Sequence, residues 1–173
     1  GSVYDYADSI AHSAWTPKFG LDLKLPNRAL AYVSAARGFK SGGFNPSSTA
    51  PGRGYAPEWA WSYEGGVKGA LLNGRSRFAL SAFAMDYTNL QVQTPLAPGI
   101  YDIRNAASAT IRGLEVENTT RLAGAIEAGG HVTWHDATYD QYDAVDLGGA
   151  TSDVAGNRLN NAPEWAGRLW VAW

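Results

Sequence analysis

WSYEGGVKGALLNGRSRFAL, running from Trp61 to Leu80, decides the fold. Up to Leu71, Trp61, Tyr63, Val67 and Leu71 fall on one face, and Ser62, Glu64 and Lys68 fall on the other. A period of two is that of a β-strand lying between an apolar and an aqueous medium. Asn73-Gly74 is then the strongest short hairpin signal in the chain, a two-residue type I′ turn whose central positions both need φ > 0. It pairs Leu72 with Arg75, hence Gly69 with Phe78 and Val67 with Leu80, which sends Phe78 and Leu80 to the apolar face. The stretch is predicted to be a long antiparallel hairpin.

The same alternation recurs on both sides of it. A first strand sets Trp15, Phe19, Leu21, Leu23 and Leu25 against Thr16, Lys18, Asp22 and Lys24. A fifth sets Leu114, Val116 and Leu122 against Glu115, Glu117, Thr119 and Arg121, and a sixth sets Ile126, Val132 and Trp134 against Glu127, His131, Thr133 and His135. A seventh starts near Trp165 and stops at Trp173. Strands two (Arg28 to Arg37) and four (Arg77 to Gln93) are less regular, because alanines blur the contrast and the apolar parity of the fourth slips around Ser81.

Between these strands the connections alternate between short and long. The short ones are Pro26-Asn27, Asn73-Gly74 and Ala123-Gly124-Ala125; the long ones run from Gly38 to Pro57, Thr94 to Ala109 and Asp140 to Pro163. Tight turns on one side and long loops on the other are the mark of an up-and-down β-barrel of the bacterial outer membrane. A three-residue loop at Ala123-Gly124-Ala125 pairs Arg121 with Glu127 and Glu117 with His131, a modestly favourable set of cross-strand neighbours. Parity around Pro26-Asn27 sends Leu30 and Tyr32 to the apolar face and Arg37 to the polar one. Trp15, Trp59, Trp61, Tyr87, Trp134 and Trp165 cluster near the long-loop ends, as in an aromatic girdle. A β-sandwich would also use such aromatics, but its strands typically run to ~5 to 6 residues and most of these reach ten or more.

Composition narrows the alternatives. With Trp 7, Tyr 9 and Gly 20 in 173 residues and only 17% charged, the chain is aromatic-rich and charge-poor for a water-soluble domain. The absence of cysteine excludes a disulfide framework and thiolate metal sites. A net charge of -2 offers no basic surface for nucleic acid. No stretch approaches the ~20 apolar residues of a membrane-spanning helix, so any crossing must be made by strands. Gly1-Ser2 reads as a cloning remnant, so the chain is expected to be a piece of a longer protein.

The segments AARGFKSGGFNP (Ala35 to Pro46), WSYEGGVKGALLNGRSRFALSAFAMDYTNLQVQ (Trp61 to Gln93), RNAASATIRGLEVE (Arg104 to Glu117) and NNAPEW (Asn160 to Trp165) resemble the barrel of a TonB-dependent outer-membrane receptor of the ferric-siderophore type. The resemblance covers nearly the whole chain in the family's order. It implies an all-β fold, an antiparallel meander of about seven strands that is part of a transmembrane barrel of about 22. It also implies a plug domain and further strands that lie outside residues 1–173, energy supplied through the TonB complex by way of that plug, contact with outer-membrane lipid, and no enzymatic activity. Iron would enter only as part of the transported ligand, with no cofactor of the protein's own.

Chemical motifs are otherwise sparse. His131 and His135 share a face but stand ~13 Å apart along a strand, too far for one metal ion. Asp136, Asp140, Asp143, Asp146 and Asp153 lie near Gly148-Gly149, but their spacing is not that of a calcium loop. The resemblance assigns ligand contact at the barrel mouth to Arg37, Phe39, Lys40, Phe44, Asn45, Arg53, Tyr55 and Arg104, through cation and ring contacts with an anionic or catecholate-like complex. Glu64, Lys68, Glu115, Glu117, His131 and His135 are expected to line the lumen. A passive porin or autotransporter barrel would share the alternation and turns, and a soluble β-rich carbohydrate-binding module would account for loop aromatics without a membrane.

Overall fold

In a computed structural model that describes residues 9–45 and 54–173, the chain is one twisted antiparallel sheet with two small appendages. Its seven principal strands are β1 (Lys18–Lys24), β2 (Leu30–Lys40), β5 (Glu58–Leu71), β6 (Ser76–Ala97), β7 (Ile100–Ala123), β8 (Ile126–Val145) and β10 (Trp165–Ala172), each paired with its neighbour in this order. The miniature hairpin of β3 (Gly43–Phe44) and β4 (Gly54–Tyr55) interrupts the connection from β2 to β5, and β9 (Thr151–Asp153) pairs with the end of β8. Among the described residues the helical turns are two single 3₁₀ turns at hairpin tips. The meander predicted from the alternation is therefore the observed topology.

The faces follow from the register. Leu23 opposes Ala31, Ala31 opposes Val67, Val67 opposes Leu80, Leu80 opposes Val116 and Val116 opposes Val132, which makes one apolar row across the sheet, and Leu21 and Val33 lie on the same face one row away. Lys68, Ala79, Glu117, His131 and Arg168 form the matching row on the other face. Leu169 is 90% exposed, Leu21 75% and Trp165 62%. An apolar face of this breadth suits lipid and not water, because soluble monomers rarely expose contiguous apolar patches beyond a few hundred Å². That face also argues against the soluble module.

The three tight ends differ in how closely they follow the sequence reading. At Asn73-Gly74 both residues have positive φ (56° and 87°), the Arg75 amide donates to the Leu72 carbonyl at 3.2 Å, and the register is the expected one, Gly69 with Phe78 and Val67 with Leu80. Leu72 also takes a left-handed conformation (φ 53°), so the ladder stops one pair earlier, at Leu71 and Ser76. At the Ala123 end Arg121 opposes Glu127 and Glu117 opposes His131 as expected, but the ladder closes on Ala123 and Ile126 after a bulge beyond Arg121. The first turn differs. Pro26–Arg28 is a three-residue connection with Asn27 and Arg28 both left-handed (φ 60° and 61°), and the Leu25 amide donates to Ala29. A slip of one residue exchanges the faces of a strand. Leu30 and Tyr32 consequently lie on the polar face, opposite Lys68 and Gly66, and Arg37 lies on the apolar one, opposite Trp61.

One of the three long connections is almost entirely strand and another is partly so. Thr94 to Ala109 was expected to be a loop, yet β6 and β7 stay paired through Ala97 and Ile100 and turn at Pro98-Gly99, where Gly99 has φ 77°. Beyond Asp140, β8 runs on to Val145 and pairs with β9, and residues 157–164 then follow its edge through Tyr139, Ala137 and His135 backbone bonds. Trp134 sits on the cross-sheet row of Leu114, Ala82 and Gly65, whereas the outward aromatics of β5 are Trp59, Trp61 and Tyr63.

Candidate functional site

The expected mouth residues are not brought together around a common opening. The Arg37 guanidinium carbon lies 3.9 Å from the centroid of the Trp59 ring, and Phe39 packs against the same ring at 4.9 Å with the two planes tilted by 56°. Lys40 faces Glu58 at 3.9 Å. Tyr55 opposes Gly43 in the miniature hairpin that also holds Phe44. Arg104 is exposed and opposes Val92 in the ribbon formed by the outer parts of β6 and β7. Arg53 lies outside the described residues.

Asn45, expected to contact ligand, is instead buried and occupied. Its amide donates to the Ile103 carbonyl at 2.8 Å and its oxygen accepts the Ile103 amide at 2.7 Å. Asn105 does the same to Ala56, donating to its carbonyl at 2.8 Å and accepting its amide at 2.6 Å. Gln91 adds bonds from its side chain to the Ser41 and Ala56 carbonyls, and its own backbone amide donates to Glu58. Side-chain amides carry both a donor and an acceptor, so each can stand in for a missing strand partner. Together they fasten the β2–β5 connection to the β6–β7 ribbon. Asn45→Ala in the full-length protein should leave the Ile103 backbone groups unpaired, at about 1 to 3 kcal/mol, and should speed amide hydrogen exchange at Ile103 by at least tenfold while exchange at Val116 stays unchanged.

On the polar face, the expected lumen residues Glu64, Lys68, Glu115, Glu117, His131 and His135 lie side by side across β5 to β8. Tyr32 donates its hydroxyl to Glu64, and Lys68 lies 5.5 Å from the Tyr32 ring. No group of three ligating side chains that could hold a metal ion occurs among the described residues. The aspartates near Gly148 serve turns and pairs: Asp146 accepts the Gly148 and Ala150 amides, Asp153 accepts that of Ala155, and Asp136 pairs with Arg158 at 3.0 Å.

One feature of this face was not anticipated as a site. Toward the ribbon end its character changes on three adjacent strands, on β6 and β7 from the row of Phe83 and Gly113 and on β8 one row later, beyond His135. On β6 it passes from Ala79 and Ser81 to Phe83, Met85 and Tyr87; on β7 from Glu117 and Glu115 to Gly113, Ile111 and Ala109; on β8 from His131, Thr133 and His135 to Ala137 and Tyr139. Ala109, between Tyr87 and Tyr139 in the register, and Ala137, next to Ile111, are fully buried. Tyr139 stacks obliquely on Tyr142 at 5.0 Å, and burial, with the Tyr142 phenol beside it, raises its pKa. The irregularity at Ser81 in the fourth strand was the sequence signal. No bulge accompanies it, so the shift of apolar parity is a real transfer of apolar side chains to the polar face.

Glycine shapes this surface. A Cβ on Gly113 would stand 2.4 Å from the Phe83 ring and 2.6 Å from the Trp134 carbonyl, and one on Gly129 would stand 2.6 Å from the Trp170 ring. Gly66 relates to Tyr32 in the same way, at 2.8 Å. Each ring therefore occupies the space over a bare backbone and lies against the wall.

Comparison with known proteins completes the description. All of residues 1–173 match the family model described as TonB dependent receptor-like, beta-barrel. The metal-pseudopaline receptor CntO of Pseudomonas aeruginosa (strain UCBPP-PA14) is 25% identical over 169 residues, which is 98% of this chain and 22% of that protein. Among solved structures, the ferric yersiniabactin uptake receptor FyuA from Yersinia pestis superimposes with a TM-score of 0.69 at 20% identity, covering 89% of this chain and 22% of that one. The siderophore receptor PiuA from Acinetobacter baumannii gives 0.69 at 20% identity, covering 89% and 23%. The chain thus spans less than a quarter of the length of these relatives.

Proposed function

The chain belongs to the TonB-dependent receptor-like β-barrel family of outer-membrane proteins, and on that premise we propose that it is a segment of the wall of an uptake receptor for a ferric siderophore or similar metal complex, energised through TonB. The observation that carries this reading is the match of all 173 residues to the family, on a sheet with one lipid-type face. The names of its relatives support the cargo, since CntO is a metal-pseudopaline receptor and FyuA a ferric yersiniabactin uptake receptor. With the apolar face against lipid, Glu64, Lys68, Glu115, Glu117, His131 and His135 look into the lumen. The ribbon end faces the outside, and the tight turns face the periplasm. Coupling to TonB would run through a plug domain beyond these residues, and iron would be cargo.

Uptake tests the reading. Iron-limited cells that depend on the full-length receptor should accumulate radioiron supplied as a siderophore complex. Deleting TonB or collapsing the proton-motive force should reduce the rate by at least tenfold. An import rate that is indifferent to both treatments would identify a passive, porin-like barrel instead.

A further inference from the structure

We propose that the rim formed by the three tight turns is a binding site for anionic phospholipids of the periplasmic leaflet, with Arg28, Arg75 and Arg121 receiving the lipid phosphate. The inference rests on the orientation given above, turns toward the periplasm, and is independent of the cargo.

Charge is unevenly placed along the sheet. The four stretches that make up its tight end, residues 23–31, 69–78, 121–128 and 171–173, hold five cations and a single carboxylate, Glu127, although the whole chain carries a net charge of -2. Arg28, Arg75 and Arg121 stand one at each turn, and all three are exposed. Among the described residues none of them has a carboxylate within ion-pair distance. The two ion pairs there, Lys40 with Glu58 and Arg158 with Asp136, both lie toward the ribbon end. Cations gathered at one end without counter-charges repel one another, a cost that a bound anion offsets.

Beside this charge lies apolar surface continuous with the lipid face. Leu71 extends the outward parity of Val67 and is 55% exposed, Leu72 is 67% exposed, and Leu122 is 55% exposed. Two clefts open between the turns. The wider, of about 550 Å³, runs between Asn27-Arg28 and the stretch from Ala70 to Gly74. The narrower, of about 370 Å³, is lined by Leu72, Asn73, Arg75, Thr120, Arg121 and Leu122. Each cleft thus joins leucine to arginine. Depth in the bilayer agrees with this pairing. Arg121 and Leu122 follow Val116 by five and six residues on β7, which on a strand inclined ~40° is about 13 to 16 Å toward the periplasm. An apolar band ~25 Å tall ends at that depth, so the leucines meet the last of the acyl chains and the arginines reach the headgroups.

A guanidinium grips a phosphate through two parallel N–H donors. The ligand that supplies a phosphate and an acyl chain together is a phospholipid. Uncompensated cations favour a headgroup of the phosphatidylglycerol type, which is anionic, over phosphatidylethanolamine, whose own ammonium already balances its phosphate. An acidic protein would satisfy the arginines but has no use for leucines that continue the lipid face.

For the test, the full-length protein in a mild detergent is titrated with phosphatidylglycerol and phosphatidylethanolamine of identical acyl chains, and bound lipid is counted by native mass spectrometry. Phosphatidylglycerol should bind about tenfold more tightly. The double variant Arg28→Gln/Arg75→Gln should raise its Kd by about tenfold and leave that of phosphatidylethanolamine unchanged. Lys18→Gln/Arg112→Gln removes two exposed cations near the opposite end and should alter neither. Assembly is checked by heat-modifiable gel mobility; if the rim double variant does not assemble, Arg28→Gln alone should raise the Kd about threefold. Glycerol phosphate, the headgroup without its chains, should displace the lipid only at roughly a hundredfold higher concentration. The proposal is overturned if the two lipids bind alike, if the assembled rim variants bind phosphatidylglycerol as the parent does, if the control variant weakens it equally, or if glycerol phosphate competes as well as the lipid itself. The second of these outcomes would assign the arginines to another partner, such as an acidic periplasmic protein. None of the four touches the uptake reading, which fails only on the loss of TonB dependence.

Discussion

Val116→Arg should destabilise the assembled barrel by about 2 to 4 kcal/mol, the cost of a cation near the bilayer midplane, whereas Glu117→Arg one residue further on should change stability far less. Val116 lies in the middle of the apolar row between Leu80 and Val132, while Glu117 lies between Ala79 and His131 on the other face. Urea titration of refolding into vesicles, followed by heat-modifiable mobility, reads both variants on one scale. Equal stability of the two would refute the assignment of the Val116 face to lipid.

Gly113→Val should cost about 1 to 3 kcal/mol, because it overfills a site that has no room for a side chain. The Phe83 ring can swing aside but the Trp134 carbonyl belongs to the ladder, so the strain has to be taken up by backbone. Adding Phe83→Ala should therefore recover only part of the loss. Gly65→Ala is the matched control: its new methyl would meet Val33 at an ordinary 3.5 Å, and the reduced freedom of the unfolded chain should make it neutral or stabilising by about 0.4 to 1 kcal/mol. If Gly113→Val melted with the parent, the flat seating of Phe83 would not be what this glycine provides.

The residues show why some features could be read from sequence and others could not. Asn73-Gly74 fixed its register because only one common turn suits two consecutive positive φ values, and every pair from Leu71 to Trp59 then followed. Pro26-Asn27 carries no such restriction. A connection of two residues and one of three are equally compatible with it, and Arg28 in a left-handed conformation leaves no trace in composition. That single residue reversed Leu30, Tyr32 and Arg37. Thr94 to Ala109 looked like a loop because its buried residues, Thr94, Asp102, Ala107 and Ala109, are polar or small and leave no apolar alternation to record.

The functional surface was partly legible for the same reason. Glu64, Lys68, Glu115, Glu117, His131 and His135 share a face by parity alone. Asn45 and Asn105 look like polar loop residues until their partners, Ile103 and Ala56, are brought within 3 Å by strands far away in sequence. The apolar shift at Ser81 was visible, but its meaning required the neighbouring strands to be aligned at the same height.

The oblique placement of the aromatics has a consequence for the architecture of the entrance. From Trp61, the middle outward aromatic of β5, to Gly65, which shares a row with Trp134, is four residues along the strand across three strand spacings. At ~3.4 Å per residue and ~4.8 Å per spacing the strands lean ~45° from the membrane normal. The opposite rim agrees: the ladder ends at Lys68, then three residues further at Leu71, then three beyond Thr120 at Ala123. A strand so inclined crosses the hydrocarbon in about 9 to 11 residues. β6, β7 and β8 have 22, 24 and 20, so about half of each rises clear of the bilayer as a stiff palisade. The outer halves of these three strands are thus held in shape by their own hydrogen-bond ladder.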